Sequence, residues 1–88
     1  MFKEKIVVVT GGSNGIGKAI VEGYAREGAK VVIADVDKAN GRAVEDELMR
    51  EGLDVLYLQG DLSQESHVKM IMSSTVKEYG RIDILINC

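Results

Sequence analysis

Gly11, Gly15 and Gly17 lie where an apolar run, Ile6–Val9, gives way to helical spacing, and the turn they punctuate is built to bind an anion. A helix start presents backbone N–H groups with no intrahelical acceptor, and the helix dipole adds positive potential at the same end. Gly11 permits a sharp exit from a strand, Gly15 lets the backbone approach a pyrophosphate, and Gly17 allows close helix–strand contact. Ile16 is expected to pack beneath the turn and to meet a ligand only through its backbone. Two phosphate-binding patterns overlap here. Gly12-(four residues)-Gly17-Lys18 fits the triphosphate loop G-x-x-x-x-G-K-[ST] except at its last position, where Ala19 lacks the hydroxyl that binds magnesium. Asp35 could pass for a second magnesium acid, but it does not replace that hydroxyl. The other pattern, Gly11-x-x-x-Gly15-x-Gly17, is one residue longer than the generic G-x-G-x-x-G dinucleotide turn.

Two acids add to the turn. Asp35 stands 18 residues beyond Gly17, after Val31–Ala34. An acid there can accept from both hydroxyls of an adenosine ribose and repel a 2′-phosphate, the plain alternative being a solvated acid in a loop. Asp61 follows a third apolar run, where with Ser63 it also makes good helix-start chemistry.

The elements that must position these residues alternate regularly. Lys5–Thr10 is an almost unbroken Ile/Val run, as for a parallel strand buried on both faces. Ile16, Ala19, Ile20 and Gly23 share one helical face, and Gly28 ends that helix in a left-handed conformation. Val31–Asp35 is the second strand. Asp37 caps a second helix that runs to about Arg50, with Gly52 stopping it and Gly41 marking close packing. Val55–Gln59 is the third strand. Ser63 caps a third helix, with Val68, Ile71, Met72, Thr75, Val76 and Tyr79 on its apolar side and Gly80 at its end; Ile82–Ile86 is the fourth strand. The expected fold is α/β: a Rossmann-type doubly wound parallel sheet of about four strands, order 3-2-1-4, with three helices and one domain over residues 1–88. The glycine turn and Asn87-Cys88 then open onto the crevice between strands 1 and 4.

The net charge of −3, without a basic block, argues against nucleic acid and membrane surfaces as partners, and no apolar run can span a bilayer. The N-terminus is not a signal peptide pattern. A single cysteine rules out an internal disulfide and points to the cytoplasm. No metal site is expected. His67, the one histidine, falls opposite the apolar stripe of its helix and is expected to be a solvated surface residue.

Thr10-Gly11-Gly12-Ser13-Asn14-Gly15-Ile16-Gly17 resembles the T-G-x-x-x-G-[IL]-G turn of the short-chain dehydrogenase/reductase family, and the resemblance extends over the whole chain. It implies that Thr10, Gly11, Ser13, Asn14, Gly15, Ile16 and Gly17 cradle a dinucleotide whose ribose meets Asp35. It further implies that Asp61 accepts from the adenine amine, that Leu62 packs near the ring, and that Asn87 braces the sheet beside a ribose. NADP-preferring relatives carry a base just before the second glycine or just after the second strand. Asn14 and Val36 stand there, so the resemblance implies NAD over NADP. Ile84-Leu85-Ile86-Asn87-Cys88 is similar to the family segment ending N-N-A-G, with Cys88 in place of the second Asn.

The family moves a hydride between nicotinamide C4 and a carbonyl or alcohol carbon, with a Tyr-x-x-x-Lys pair and a serine handling the proton. Tyr24, Tyr57 and Tyr79 are followed four residues later by Gly28, Asp61 and Asp83, and Ser73 and Ser74 do not resemble the family's serine. No catalytic residue is therefore assigned. The expected role is the NAD(H)-binding portion of such an oxidoreductase, inactive on its own; the alternative is a vestigial module acting in protein association. A methyltransferase shares the glycine turn and the acid after strand 2, but its usual turn is G-x-G-x-G. The apolar edge at Ile82–Ile86 predicts a homodimer, or pairing with a separate chain that carries the C-terminal half.

Overall fold

The computed structural model describes residues 3–88. The elements run β1 (Ile6–Thr10), α1 (Gly15–Arg26), β2 (Lys30–Asp35), α2 (Lys38–Arg50), β3 (Val55–Gln59), α3 (Glu65–Tyr79) and β4 (Ile84–Asn87). All four strands are parallel, in the order β3-β2-β1-β4. This is the doubly wound order, and β1 lies between β2 and β4 with its C-terminal end at the reversal point. Among the described residues no helix is long and apolar enough to cross a membrane.

Strand residues alternate between two faces. One carries Val7, Val9, Val31, Ile33, Val55 and Tyr57, covered by Val21 and Ala25 of α1 and by Val44 and Leu48 of α2. The other carries Val8, Val32 and Ala34, covered by Ile71 of α3. Both faces of β1 and β2 are thus sealed, which is why those strands are nearly pure Val and Ile. β4 is more open, and Leu85 on the α3 face is 48% exposed.

Several expectations shift on contact with the structure. The buried stripe of α1 is Gly17, Val21 and Ala25, a phase displaced from the Ile16, Ala19, Ile20, Gly23 face. Ile16 does not pack beneath the turn; it is 79% exposed, because the glycines let Gly17 rather than its larger neighbour face inward. Ser63 does not cap α3, whose N-cap is Gln64, because the Ser63 hydroxyl is bonded to the Asp61 carboxylate instead. Val76 also leaves the expected apolar stripe of α3 and is 45% exposed. β4 begins at Ile84 rather than Ile82: the Asp83 carboxylate takes the Ile6 N–H and the Asp83 N–H reaches the Ile6 carbonyl, closing the sheet before the ladder starts. Asp37 does cap α2, accepting the Asn40 N–H at 3.1 Å. Gly28, Gly52 and Gly80 all sit in the left-handed region after their helices. Gly41 marks close packing as expected, since a Cβ there would collide with the Tyr57 ring.

Candidate functional site

The C-terminal ends of β1 and β2 and the residue after β4 form a cleft of about 220 Å3. Thr10, Gly11, Ala34, Asp35, Leu62 and Cys88 wall it. Gly11 leaves β1 at φ +70°, its N–H donating to the Ala34 carbonyl at 2.8 Å, so the chain turns sharply while still bonded to β2. A Cβ on Gly17 would fall on the Gly11 carbonyl oxygen, so the close approach is between the helix start and its own turn. Gly15, at φ +51°, faces open space where a Cβ would be. Among the described residues no side chain caps the N-terminus of α1 and its first turn holds no acid, so its positive end is left uncompensated by them.

Asp35 is held from two sides. The Ser13 hydroxyl donates to its Oδ2 at 2.5 Å, and the Asp37 N–H donates to its Oδ1 at 3.0 Å. Burial pushes the Asp35 carboxyl up, but the Ser13 hydroxyl and the amides of Asp37, Ser13 and Val36 outweigh it and hold it below the usual range. Tyr57, buried under α2, donates its hydroxyl to the Asp35 carbonyl at 2.8 Å. The end of β2 is therefore fixed in both main chain and side chain.

A polar relay ties the glycine turn to the start of α2. Asn40 donates through Nδ2 to Asp37 Oδ2 at 2.8 Å and to Asn14 Oδ1 at 3.1 Å. Asn14 leans toward the Ser13 hydroxyl, 3.5 Å away, and Ser13 passes the contact to Asp35. Lys18, the residue that the triphosphate pattern needs at the phosphates, instead pairs with Glu47 at 3.3 Å and Glu22 at 3.9 Å. That engagement, together with Ala19, disfavours the triphosphate reading.

The Thr10 hydroxyl lies 3.1 Å from Asn87 Oδ1 and 3.3 Å from the Ile86 carbonyl, and it accepts the Cys88 N–H at 3.3 Å. Asn87 is thereby braced against β1, next to Cys88 in the wall of the cleft.

Asp61 is not in this cleft. It borders a neighbouring hollow of about 280 Å3 with Gln59, His67 and Met70, and the two hollows share Val36 and Gly60 as walls. Its Oδ1 takes both the hydroxyl and the N–H of Ser63, at 2.7 and 2.9 Å, which holds its carboxyl below the usual range.

Two contributors escape sequence reasoning. Asn40 lies in the first turn that Asp37 caps, but no sequence pattern signals its long-range contact with Asn14. His67 is exposed as expected, yet its ring turns back onto Asp61, six residues earlier, a contact that the apolar spacing of α3 does not signal. Of the other tyrosines, Tyr79 donates to Asp54 at 3.1 Å, far from the cleft in role, and burial beside that acid pushes its hydroxyl up.

The short chain dehydrogenase family profile matches residues 5–88. L-fucose dehydrogenase of Rattus norvegicus is 45% identical over 86 residues, 98% of this chain and 30% of the relative. An uncharacterized oxidoreductase of Thermotoga maritima is 44% identical over 87 residues, 99% of this chain and 34% of the relative. Among solved structures, a hydroxysteroid dehydrogenase from Escherichia coli superimposes with TM-score 0.94 at 29% identity, over 98% of this chain and 36% of that one. A short chain dehydrogenase/reductase from Burkholderia phymatum, in complex with NAD, does so with TM-score 0.93 at 31% identity, over 96% of this chain and 30% of that one. The chain thus spans about a third of the length of the relatives it matches.

Proposed function

Because the chain belongs to the short-chain dehydrogenase family over residues 5–88, we propose that it is the dinucleotide-holding portion of an oxidoreductase, with NAD(H) preferred over NADP(H). The observation that carries the preference is the Asp35 carboxylate at the rim of the cleft, ionised and fixed by Ser13 and Asp37 with no base beside it at Asn14 or Val36. A 2′-hydroxyl gains an acceptor there, and a 2′-phosphate meets a negative charge. The residues fit a dinucleotide on geometry as well: Gly15 leaves open the space a side chain would fill, and α1 offers an uncapped N-terminus. The solved structure from Burkholderia phymatum holds NAD on the same fold.

When bound, a nicotinamide dinucleotide supplies the hydride chemistry. The residues of this chain hold it. The first-turn amides of α1 would face the pyrophosphate, Asp35 the adenosine ribose, and Val36 and Leu62 the faces of the adenine. Asp61, across the shared wall at Gly60, would take the adenine amine. Thr10 and Asn87 stiffen the β1–β4 side, where the crevice continues toward the reacting end. Proton transfer and substrate recognition belong to a Tyr-x-x-x-Lys segment that these 88 residues do not contain. The open edge of β4 further suits a homodimer of this chain, or a separate C-terminal half docked there, and the lone cysteine suits a cytoplasmic protein.

Titration of the purified chain with NADH, following nicotinamide fluorescence, and with NADPH in parallel tests the reading. Saturable NADH binding at least about tenfold tighter than NADPH is expected. Equal or tighter NADPH binding contradicts the preference. Folded protein that binds neither contradicts the coenzyme role and favours the vestigial module acting in protein association.

A further inference from the structure

His67 sits on the exposed side of α3, yet its Nδ1 accepts the Asp61 backbone N–H at 2.8 Å. Only an unprotonated Nδ1 can accept, so the contact belongs to the neutral imidazole with its proton on Nε2. The turn it holds is tightly seated: a Cβ on Gly60 would lie 2.7 Å from Ile71 Cδ1 and 3.5 Å from His67 Cβ. The Asp61 carboxylate spends Oδ1 on Ser63, and Oδ2 has no partner among the described residues. His67 therefore anchors the main chain of a turn whose carboxylate still has an oxygen to offer.

We infer that His67 is a positioning residue: its neutral imidazole holds the Asp61 turn in the shape that receives the adenine, and its protonation releases that turn and weakens dinucleotide binding. The inference rests on the coenzyme reading above. Protonation replaces the acceptor with a second N–H, which then opposes the Asp61 N–H. The cationic ring is drawn instead to the Asp61 carboxylate, the charged group that faces it from the turn. That attraction competes with the adenine amine for the same oxygens. The remaining walls of the hollow, Val36, Gln59, Gly60 and Met70, carry no charge. On α3 itself Glu65 and Lys69 pair with each other at 3.1 Å, and beyond β2 Asp35 and Asp37 are engaged by Ser13 and Asn40. Asp61 is thus the group that decides the outcome.

The test measures NADH affinity of the 88-residue chain between about pH 8 and about pH 5.5. His67→Asn and His67→Leu are measured alongside. Asn places Oδ1 where Nδ1 was and does not titrate; Leu removes the acceptor. The parent is expected to lose about three- to tenfold in affinity across the window, the size of one hydrogen bond. His67→Asn should bind like the parent at the upper end and stay flat, while His67→Leu should be weak throughout. The Asp61 amide resonance of the nitrogen-15-labelled chain, without NADH, should move with the His67 ring titration in the parent and not in His67→Asn. A flat profile in a parent that binds NADH, or a His67→Asn profile parallel to the parent's, overturns this inference alone. Absence of NADH binding at every pH overturns it together with the coenzyme reading, and the amide titration then shows whether the contact itself exists.

Discussion

At the scale of the residue, Asp35 is prepared before any ligand arrives, since Ser13 and the Asp37 amide fix both of its oxygens. Asp35→Ala should lower NADH affinity about tenfold or more, as loss of charge-assisted hydrogen bonds does, and leave NADPH affinity unchanged or improved. Parallel dissociation constants check this, and equal losses for both coenzymes contradict a discriminating role. The same carboxyl has a signature in stability. Held lower in the folded chain than in the unfolded one, it stabilises the fold above its unfolded value of about 3.9, and that share disappears as pH falls through the folded value. Asp61, through Ser63, and Asp83, through the Ile6 amide, are shifted the same way and steepen the same acid limb. Urea unfolding of Asp35→Asn at stepped pH should lose stability less steeply than the parent below about pH 4. An acid limb identical to the parent's would contradict it. Asp35 was legible in the sequence because a local pattern, an acid closing an apolar strand, gives it away. Ser13 as its partner, Asn40 as the bridge to Asn14 and His67 as the anchor of Asp61 were not, because each contact joins segments that only the fold brings together.

At the scale of the element, apolar spacing located every strand and helix but misjudged which side of α1 is buried. A hydrophobicity pattern gives weight to Ile16 and Ile20 and almost none to glycine, whereas close packing is set by the smallest residue. Gly17 goes inward because only hydrogen fits against the Gly11 carbonyl, and Val21 and Ala25 follow at the same phase. The same logic makes Gly41 the point where α2 packs closely on the sheet. The Tyr57 ring lies directly beneath it and cannot retreat, being 2% exposed and bonded through its hydroxyl to the Asp35 carbonyl. Gly41→Ala should therefore destabilise the chain by about 1–3 kcal/mol through overpacking, although alanine is the better helix former. Pairing it with Tyr57→Leu should recover part of the loss, a coupling that chemical denaturation of the two single variants and the double would measure. Strict additivity would mean that the ring is not the obstacle.

At the scale of the whole molecule, the two faces of the sheet are unequally covered. Among the described residues α1 and α2 cover one face and α3 alone covers the other, which leaves Leu85 48% exposed, while α3 itself carries Val76 and Met70 at 45% and 42% exposed. Among the described residues β4 pairs with β1 alone, so its outer N–H and C=O groups have no strand partner there. β3, the opposite edge, is better protected, with Val55 and Tyr57 buried. Association should therefore run through β4. Two copies related by a two-fold axis can pair their β4 strands antiparallel, joining two four-stranded sheets into one and bringing both Leu85 side chains out of water. Light scattering across a concentration series should then approach twice the 9.6 kDa chain mass. Leu85→Lys should return the chain to a monomer, because two lysines would face each other across the new ladder, while its NADH affinity stays as in the parent. A monodisperse parent monomer at high concentration would refute the dimer. It would also leave the β4 edge as the natural seat for a chain that carries the Tyr-x-x-x-Lys segment, a pairing that co-expression with such a half and recovery of alcohol-dependent NADH formation would reveal.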